Sequence, residues 1–339
     1  MNAGEKRGQV EGDDQIGDNG RALAGPIVIN RNQHELSLER REGGLTTNFH
    51  PARYTKKGAL FLRCEGADLM QDYLKTAIAA ARAAGKIIRD RFGDGKSLSV
   101  RHKGRIDLVT EVDLACETEL RARILDDWPE HAILGEEGGH LGDSQAPLWI
   151  VDPLDGTRSF AHGYPFVSVS VALEIEGQVV VGVVYDPLRD ELFQAVRSGG
   201  AFLNDVPIHA SFTETLDQAL LVTGFPYHLA EFDSSALFGL FRDYVINSGG
   251  IRRDGSAAID FCYIACGRLD GYWEFFLHPW DAAAGALIAQ EAGAVVTNLA
   301  GEPYDIRVAE VLASNPHIHS AMIGTAAPYL ADMRKLLVG

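Results

Sequence analysis

Two carboxylates stand three residues apart at the end of an apolar run, in Trp149-Ile150-Val151-Asp152-Pro153-Leu154-Asp155-Gly156-Thr157. The run reads as a strand that stops at Pro153, because proline has no N–H to give to a sheet ladder. Asp155-Gly156 then turns the chain. Asp152 and Asp155 are therefore expected to flank a tight turn at a strand end, close enough to share cations. The Gly156 and Thr157 amides follow at what reads as a helix start, a natural seat for phosphate. Carboxylates beside free amides suggest a metal-assisted phosphate site. Asp, Pro and Gly are also ordinary turn residues, so the tetrapeptide by itself leaves a surface turn open.

The rest of the chain narrows the choice. Its 339 residues suffice for one large core or two joined ones, and 46% hydrophobic content is ordinary for a globular protein. Acidic residues number 47 against 31 basic, a formal net charge of -16. That balance speaks against a general binder of nucleic acid or of anionic membranes. An acidic protein that handles phosphate esters needs cations to neutralise them, in agreement with the opening stretch. Cys64, Cys116, Cys262 and Cys266 form no Cys-x-x-Cys pair, so neither a zinc site nor a disulfide framework is indicated. No apolar run approaches the ~20 residues of a membrane span, and the N-terminus lacks the apolar stretch of a secretion signal. A cytoplasmic protein is expected.

Residues 1–69 are rich in Gly, Asn, Glu, Asp and Arg, with one short apolar island, Pro26-Ile27-Val28-Ile29. No periodic pattern persists there, so a disordered N-terminal extension is expected, with the fold occupying residues 70–339. Met70 stands directly before a helix, and the preceding segment reads as an appended tail or the product of a wrongly chosen start codon. Apolar positions at helical spacing predict helices over residues 71–92, 111–127, 232–245, 256–266 and 279–292. A last helix is expected over 316–337, broken near Pro328. Alternating patterns predict strands over 132–134, 166–173, 179–185, 191–196, 219–222, 269–274, 295–297 and 311–313. The stretch 166–196 reads as an antiparallel meander. Layers of helix and sheet without a regular βαβ repeat follow, a mixed α/β or α+β fold.

Asp107 and Asp113, Glu136 and Glu137, Asp152 and Asp155, and Asp281 share one grammar: carboxylates at the end of an element, next to Gly or Pro. Hard oxygen ligands suit Mg²⁺, and two such ions can clamp the attacking and leaving oxygens of an in-line displacement. Gly135-Glu136-Glu137, Trp149-Ile150-Val151-Asp152-Pro153-Leu154-Asp155-Gly156-Thr157, Gly255-Ser256-Ala257-Ala258 and Trp280-Asp281-x-Ala283-Ala284-Gly285 resemble, in order, the signatures of the inositol monophosphatase family. Asp107-x-Val109-Thr110-x-x-Asp113 adds a fifth. The resemblance runs from Met70 to about Leu337.

The resemblance implies a layered αβαβα sugar-phosphatase fold, two Mg²⁺ ions with a weaker third, inhibition by lithium, and a homodimer. Glu136 and Asp152, with the carbonyl of Leu154, resemble the ligands of the first ion. Asp152, Asp155 and Asp281 resemble those of the second, and the third would again use Glu136. Asp113 and Thr157 are similar to the pair that orients and deprotonates the attacking water. The Gly156 and Thr157 amides would hold phosphate oxygens. Gly255, Ser256, Ala257 and Glu274 resemble the substrate end, where a carboxylate accepting from vicinal hydroxyls is a sensible reader of polyols. Lys103 resembles the mobile-loop lysine of bacterial members.

Three departures stand out. Ser159 replaces the usual Asn, and Arg158-Ser159 leans toward the histidinol-phosphate branch. Asp254 precedes Gly255 where a small or apolar residue is common. Gly293-Ala294 replaces the frequent Gly-Gly. The expected activity is Mg²⁺-dependent hydrolysis of myo-inositol 1-phosphate or a related polyol phosphate. The alternatives are histidinol-phosphate phosphatase, fructose-1,6-bisphosphatase, 3'-phosphoadenosine 5'-phosphate phosphatase, and a catalytically idle relative with a binding or regulatory role.

Overall fold

The structure, a computed structural model, describes residues 27–32, 35–40, 65–93, 100–102 and 108–336. The chain divides into two units, Met1–Cys64 and Glu65–Gly339. In the first, β1 (Ile27–Asn32) and β2 (Glu35–Arg40) pair antiparallel, with Ile27 opposite Arg40. Residues 27–29 of the apolar island are thus the start of a strand. The second unit opens with α1 (Glu65–Arg91), which begins ahead of Met70.

β3 (Val100–His102) and β4 (Leu108–Thr110) form an antiparallel pair, and α2 (Glu111–Asp127) follows directly. Thr110 starts α2 because its hydroxyl accepts from the Val112 amide at 3.1 Å, while its own amide donates to Asp113 Oδ2 at 2.8 Å. This is the reciprocal capping arrangement of helix N-termini.

The larger sheet collects β5 (Ala132–Gly135), β6 (Gly139–Leu141), β7 (Leu148–Asp155), β8 (Ser168–Ile175), β9 (Gln178–Asp186), β10 (Glu191–Val196), β11 (Ala201–Leu203) and β12 (Val206–Pro207). Their spatial order is β12-β11-β10-β9-β8-β7-β5-β6, antiparallel except for β5 against β7. A short helix, α3 (Thr157–His162), leaves the end of β7. The smaller sheet takes β13 (Leu220–Thr223), β14 (Gly250–Arg252), β15 (Gly271–Phe275), β16 (Val295–Thr297) and β17 (Glu310–Ser314), in the order β14-β13-β15-β17-β16. Between its strands run α4 (Ser235–Asn247), α5 (Ala257–Ala265) and α6 (Pro279–Glu291). The expected C-terminal helix is two, α7 (His319–Ala326) and α8 (Leu330–Lys335), interrupted around Pro328.

Period-two alternation sorts the larger sheet into two faces. Trp149, Val151, Val169, Val171, Val181 and Val183 face α1 and α2, where Ala77, Ala81, Ile88, Cys116 and Leu120 complete a core. Ile150, Ala172 and Val184 face the other way, against α5 and α6. The far side of that helix pair meets Val222, Tyr272 and Ala313 of the smaller sheet. Leu221, Trp273 and Leu312 of the same sheet point outward to α4, α7 and α8. The result is the five-layer αβαβα stack. α5 and α6 lie between two sheets, so α6 is apolar all round and buried from Ala282 to Ala289. Small residues let it fit: a Cβ on Gly182 would fall 2.8 Å from the Ala284 carbonyl oxygen, and one on Gly285 would fall 2.7 Å from Phe261 Cβ.

The opening stretch departs from expectation in one respect. β7 does not stop at Pro153 but runs through to Asp155. Asp152 pairs with Ser170 and Asp155 with Ser168, so three steps along β7 answer two along β8. This is a bulge, and a bulge tolerates the missing N–H of Pro153. Cys116 and Cys262 are buried and Cys266 half-buried, all unbridged, in keeping with packed small residues. Among the described residues, no helix is long and apolar enough to cross a membrane.

Candidate active site

A cavity of about 640 Å³ opens where the ends of β7, β13 and β15 meet the starts of α3, α5 and α6. Glu136, Asp152, Leu154, Asp155, Gly156, Thr157, Gly255, Ser256, Ala257, Glu274 and Asp281 all line it. Residues separated by up to 145 positions, from Glu136 to Asp281, thus share one space. Asp113 does not line the cavity and is fully buried behind it. Lys103 and Asp107 lie outside the described residues.

Each carboxylate is held by local structure. Asp152 Oδ1 accepts from the Leu154 amide at 3.0 Å, within the bulge. Asp155 Oδ2 accepts from Ser256 Oγ at 2.7 Å and from the Ala258 amide at 2.8 Å. Those donors belong to the start of α5, where N–H groups lack helical partners and favour negative charge. Asp281 sits in the first turn of α6, after Pro279, and its Oδ2 accepts from the His278 amide at 2.7 Å. Glu274 Oε2 accepts from the Tyr272 hydroxyl at 2.7 Å. Gly156 is left-handed at φ 93°, and a Cβ there would fall 2.7 Å from the Phe166 carbonyl oxygen, so the turn into α3 needs glycine.

Burial raises the proton affinity of these carboxylates, and neighbouring charges add to it at Asp152, Glu274 and Asp281. Burial, then the charges of Glu136, Asp155 and Asp281, push Asp152 well above the usual carboxylate range. Asp281 is raised by burial and by Asp155, Glu136 and Glu274. Burial lifts Asp155 to about 6, against the hydrogen bonds from Ser256 and Ala258. Glu274 is lifted to about 7, again mainly by burial. Such a cluster favours either protons or cations.

Among the described residues, no three His, Cys, Asp or Glu side chains stand close enough together to hold a metal ion by themselves. The carboxylates instead face a shared space from the turn after β5 (Glu136), the end of β7 (Asp152 and Asp155) and the first turn of α6 (Asp281). That arrangement fits a hard cation that keeps several waters and completes its shell with ligand oxygens, as Mg²⁺ does.

Thr157 links the cavity to Asp113. Its Oγ1 donates to Asp113 Oδ1 at 2.8 Å and lies 3.1 Å from the Leu154 carbonyl oxygen. Asp113 is raised by burial, opposed by hydrogen bonds from Thr110 and Thr157. A buried acceptor behind an accessible hydroxyl can draw a proton out of the cavity.

Some site residues carried no sequence signal. Glu117, buried on α2, accepts from the Glu137 and Gly138 amides, both at 2.8 Å, and from Arg121 Nε at 2.8 Å. Arg121 Nη2 donates to the Gly139 carbonyl at 2.7 Å. The pair clamps the loop that carries Glu136, yet Glu117-x-x-x-Arg121 reads in sequence as a solvated helix pair. Gly224 is another such position, since a Cβ there would fall 1.9 Å from Glu274 Oε1. Tyr227 lines the cavity and lies under the Arg158 guanidinium, 4.2 Å from Cζ to ring centroid.

Known proteins share this arrangement of chain. Residues 69–330 match the profile of the inositol monophosphatase family. The Nus factor SuhB of Pseudomonas aeruginosa is 41% identical over 270 residues, covering 78% of this chain and 100% of that protein. The inositol-1-monophosphatase of a Synechocystis species is 45% identical over 256 residues, covering 75% of this chain and 88% of its own length. The crystal structure of the extragenic suppressor protein suhB from Bartonella henselae superposes with a TM-score of 0.72 at 36% identity, over 75% of this chain and 98% of that one. The chain therefore belongs to the inositol monophosphatase family, with the layered fold of its members and the phosphatase class of activity for which the family is named.

Proposed function

We propose that this chain hydrolyses myo-inositol 1-phosphate, or a closely related polyol phosphate, by direct attack of water, as a cytoplasmic homodimer. One observation carries the reading. Glu136, Asp152, Asp155 and Asp281 share a cavity with a threonine hydroxyl backed by a buried aspartate, and burial and the neighbouring charges raise Asp152 and Asp281. Such a cavity accepts phosphate only with cations present. Glu136, Asp152, Asp155, Asp281 and the Leu154 carbonyl would hold two Mg²⁺, with a weaker third sharing Glu136. Bound there, the ions supply positive charge against the phosphate and acidify water.

The protein's own groups do the rest. The Gly156 and Thr157 amides hold phosphate oxygens. Thr157 Oγ1 accepts a proton from the attacking water while passing its own to Asp113. The new bond forms from water oxygen to phosphorus, the bond from phosphorus to the ester oxygen breaks, and the alcohol leaves with a proton from solvent. No phosphorylated side chain is required. Glu274, with one oxygen fixed by Tyr272 and the other packed on Gly224, accepts from hydroxyls of the polyol.

Phosphate release from inositol 1-phosphate, histidinol phosphate, fructose 1,6-bisphosphate and 3'-phosphoadenosine 5'-phosphate tests the assignment. The highest kcat/KM is expected for the first. A preference for histidinol phosphate would transfer the assignment to that branch, toward which Arg158-Ser159 leans. The Nus factor name of one relative supports a second reading, a binding role without catalysis. Retention of Asp113, Glu136, Asp152, Asp155, Thr157 and Asp281 favours catalysis.

A further inference from the structure

Asp260 lies in the first turn of α5, the helix whose start also receives Asp155. It is 1% exposed and forms part of the cavity wall. Its Oδ1 is buried and has no hydrogen-bond partner. Buried carboxylate oxygens are costly to leave unpaired, and native structures rarely do so. An acidic first-turn residue is favoured by the helix end, but that explains the residue type and not an oxygen without a donor. Such an oxygen in the wall of a ligand cavity points to a donor that arrives with the ligand.

The neighbours say which kind. Asp260 stands in the field of Glu274, Asp254 and Asp155, with Arg253 opposing them. Glu274 belongs to the same wall, and the Tyr272 hydroxyl occupies one of its oxygens. Asp260 Oδ1 and Glu274 Oε1 therefore remain as acceptors at the substrate end. Arg253, also in the wall, disfavours an ammonium there. Neutral hydroxyls satisfy both acceptors without adding charge.

We propose that Asp260 is a specificity-determining residue, a second hydroxyl reader that works beside Glu274. Together the two carboxyl groups select phosphate esters of polyols carrying two accessible hydroxyls. The proposal rests on the polyol-phosphate reading and deepens it.

The test compares the wild-type enzyme with Asp260→Asn, which keeps the shape and one acceptor oxygen but changes the other to a donor. Substrates are myo-inositol 1-phosphate, its singly deoxygenated analogues, 2-aminoethyl phosphate and 4-nitrophenyl phosphate. The variant is expected to lower kcat/KM for the inositol ester about ten-fold relative to the nitrophenyl ester, mainly through KM. One deoxygenated analogue should lose that difference between wild type and variant, because the hydroxyl read by Asp260 is gone. Equal losses on the inositol and nitrophenyl esters, no loss on either, or a larger loss on the aminoethyl ester would each overturn the proposal. If the wild type does not hydrolyse the inositol ester, the polyol-phosphate reading fails. Inhibition of nitrophenyl phosphate hydrolysis by that ester then still decides: about ten-fold weaker inhibition of the variant supports the role of Asp260, and equal inhibition overturns it. If the Asn variant does not fold, Asp260→Ser serves in its place.

Discussion

Thr157 Oγ1 donates to Asp113 Oδ1 across 2.8 Å, so a carboxylate with no exposure to solvent is coupled to the cavity through a single hydroxyl. If the two act in series, removing either breaks the same proton path. Thr157→Val and Asp113→Asn are each expected to lower kcat about 10²–10⁴-fold with a smaller change in KM. The double variant should fall little further, because residues acting as one unit are not additive. Steady-state kinetics of the three variants check this. Independent, multiplying losses would separate the two residues.

The crowding of carboxylates predicts opposite effects on activity and stability. Chelation of divalent ions should abolish turnover, and Mg²⁺ should restore it and raise Tm by binding the folded state. Ca²⁺ should inhibit, because its looser and larger coordination misplaces the reacting groups. Asp152→Asn should cost at least about 10²–10³ in kcat. In chelator the same variant should melt higher than wild type, since one of several repelling buried charges is gone. Calorimetry with and without Mg²⁺ reads both halves. Full turnover after exhaustive chelation would end the metal reading.

Gly224 and Glu274 should behave as one position. A Cβ at 224 would collide with Glu274 Oε1, so Gly224→Ala is expected to displace that carboxylate. Its ratio of kcat/KM for inositol 1-phosphate over nitrophenyl phosphate should drop about as far as in Glu274→Gln, and the double variant should add little. Burial lifts Glu274 to about 7, so its accepting, ionised form grows as pH rises from about 6 to 8. The substrate ratio should rise with pH over that window in the wild type and stay flat in Glu274→Gln. A pH-independent wild-type ratio would remove Glu274 as the reader.

Much of the architecture was legible because it rests on periodicity. The alternation of Val169, Val171 and Leu173, and the helical stripe of α2, each state their burial outright. Short strands such as Ala201–Leu203, Val206–Pro207 and Gly250–Arg252 were not, since two or three residues carry no measurable period. The acidic residues of the site were legible for a different reason: Gly and Pro beside a carboxylate mark the end of an element. Glu117 and Asp260 sit inside helices without such punctuation. Only the fold reveals that the first faces a loop and the second a cavity.

His319 supplies an acid-sensitive joint between α7 and the smaller sheet. It is 7% exposed, and its ring contacts Thr297 Oγ1 at 3.0 Å and Ser314 Oγ at 2.8 Å. Burial lowers its pKa to about 4. Between about 4 and 6.5 the unfolded chain binds a proton that the folded chain refuses, so stability rises with pH across that window. Acidification from 6.5 toward 4 should therefore remove up to about 3 kcal/mol. His319→Asn should be less stable at pH 7 and should lack this step. Denaturant melts at several pH values measure it, and an unchanged pH profile in the variant would assign the acid sensitivity elsewhere.

The second unit holds its own layered cores, and α1 begins at Glu65 rather than Met70. A chain starting at Glu65 is expected to match the full-length protein in Tm and turnover. A chain starting at Met70 should melt slightly lower, having lost the first turn of α1. Thermal melts and rates of the two truncations test the boundary. A large loss on removing residues 1–64 would show that they support the fold.

The bulge in β7 makes chain length part of the chemistry. In a regular strand, positions three apart point to opposite faces. The extra residue between the Ser170 and Ser168 pairings cancels that parity, so Asp152 and Asp155 open on the same cavity while Leu154 joins the core under α1 and α2. Inserting one residue into β8 between Ser168 and Ser170 would make three steps answer three, restore odd parity and drive a carboxylate into that apolar core. Replacing either carboxylate costs catalysis; changing the count across this pairing costs the fold as well. The tolerance of the β7–β8 pairing is therefore set by arithmetic before it is set by residue identity, and one-residue insertions into β8 between Ser168 and Ser170 should be lost from a library in which substitutions of Asp152 and Asp155 survive.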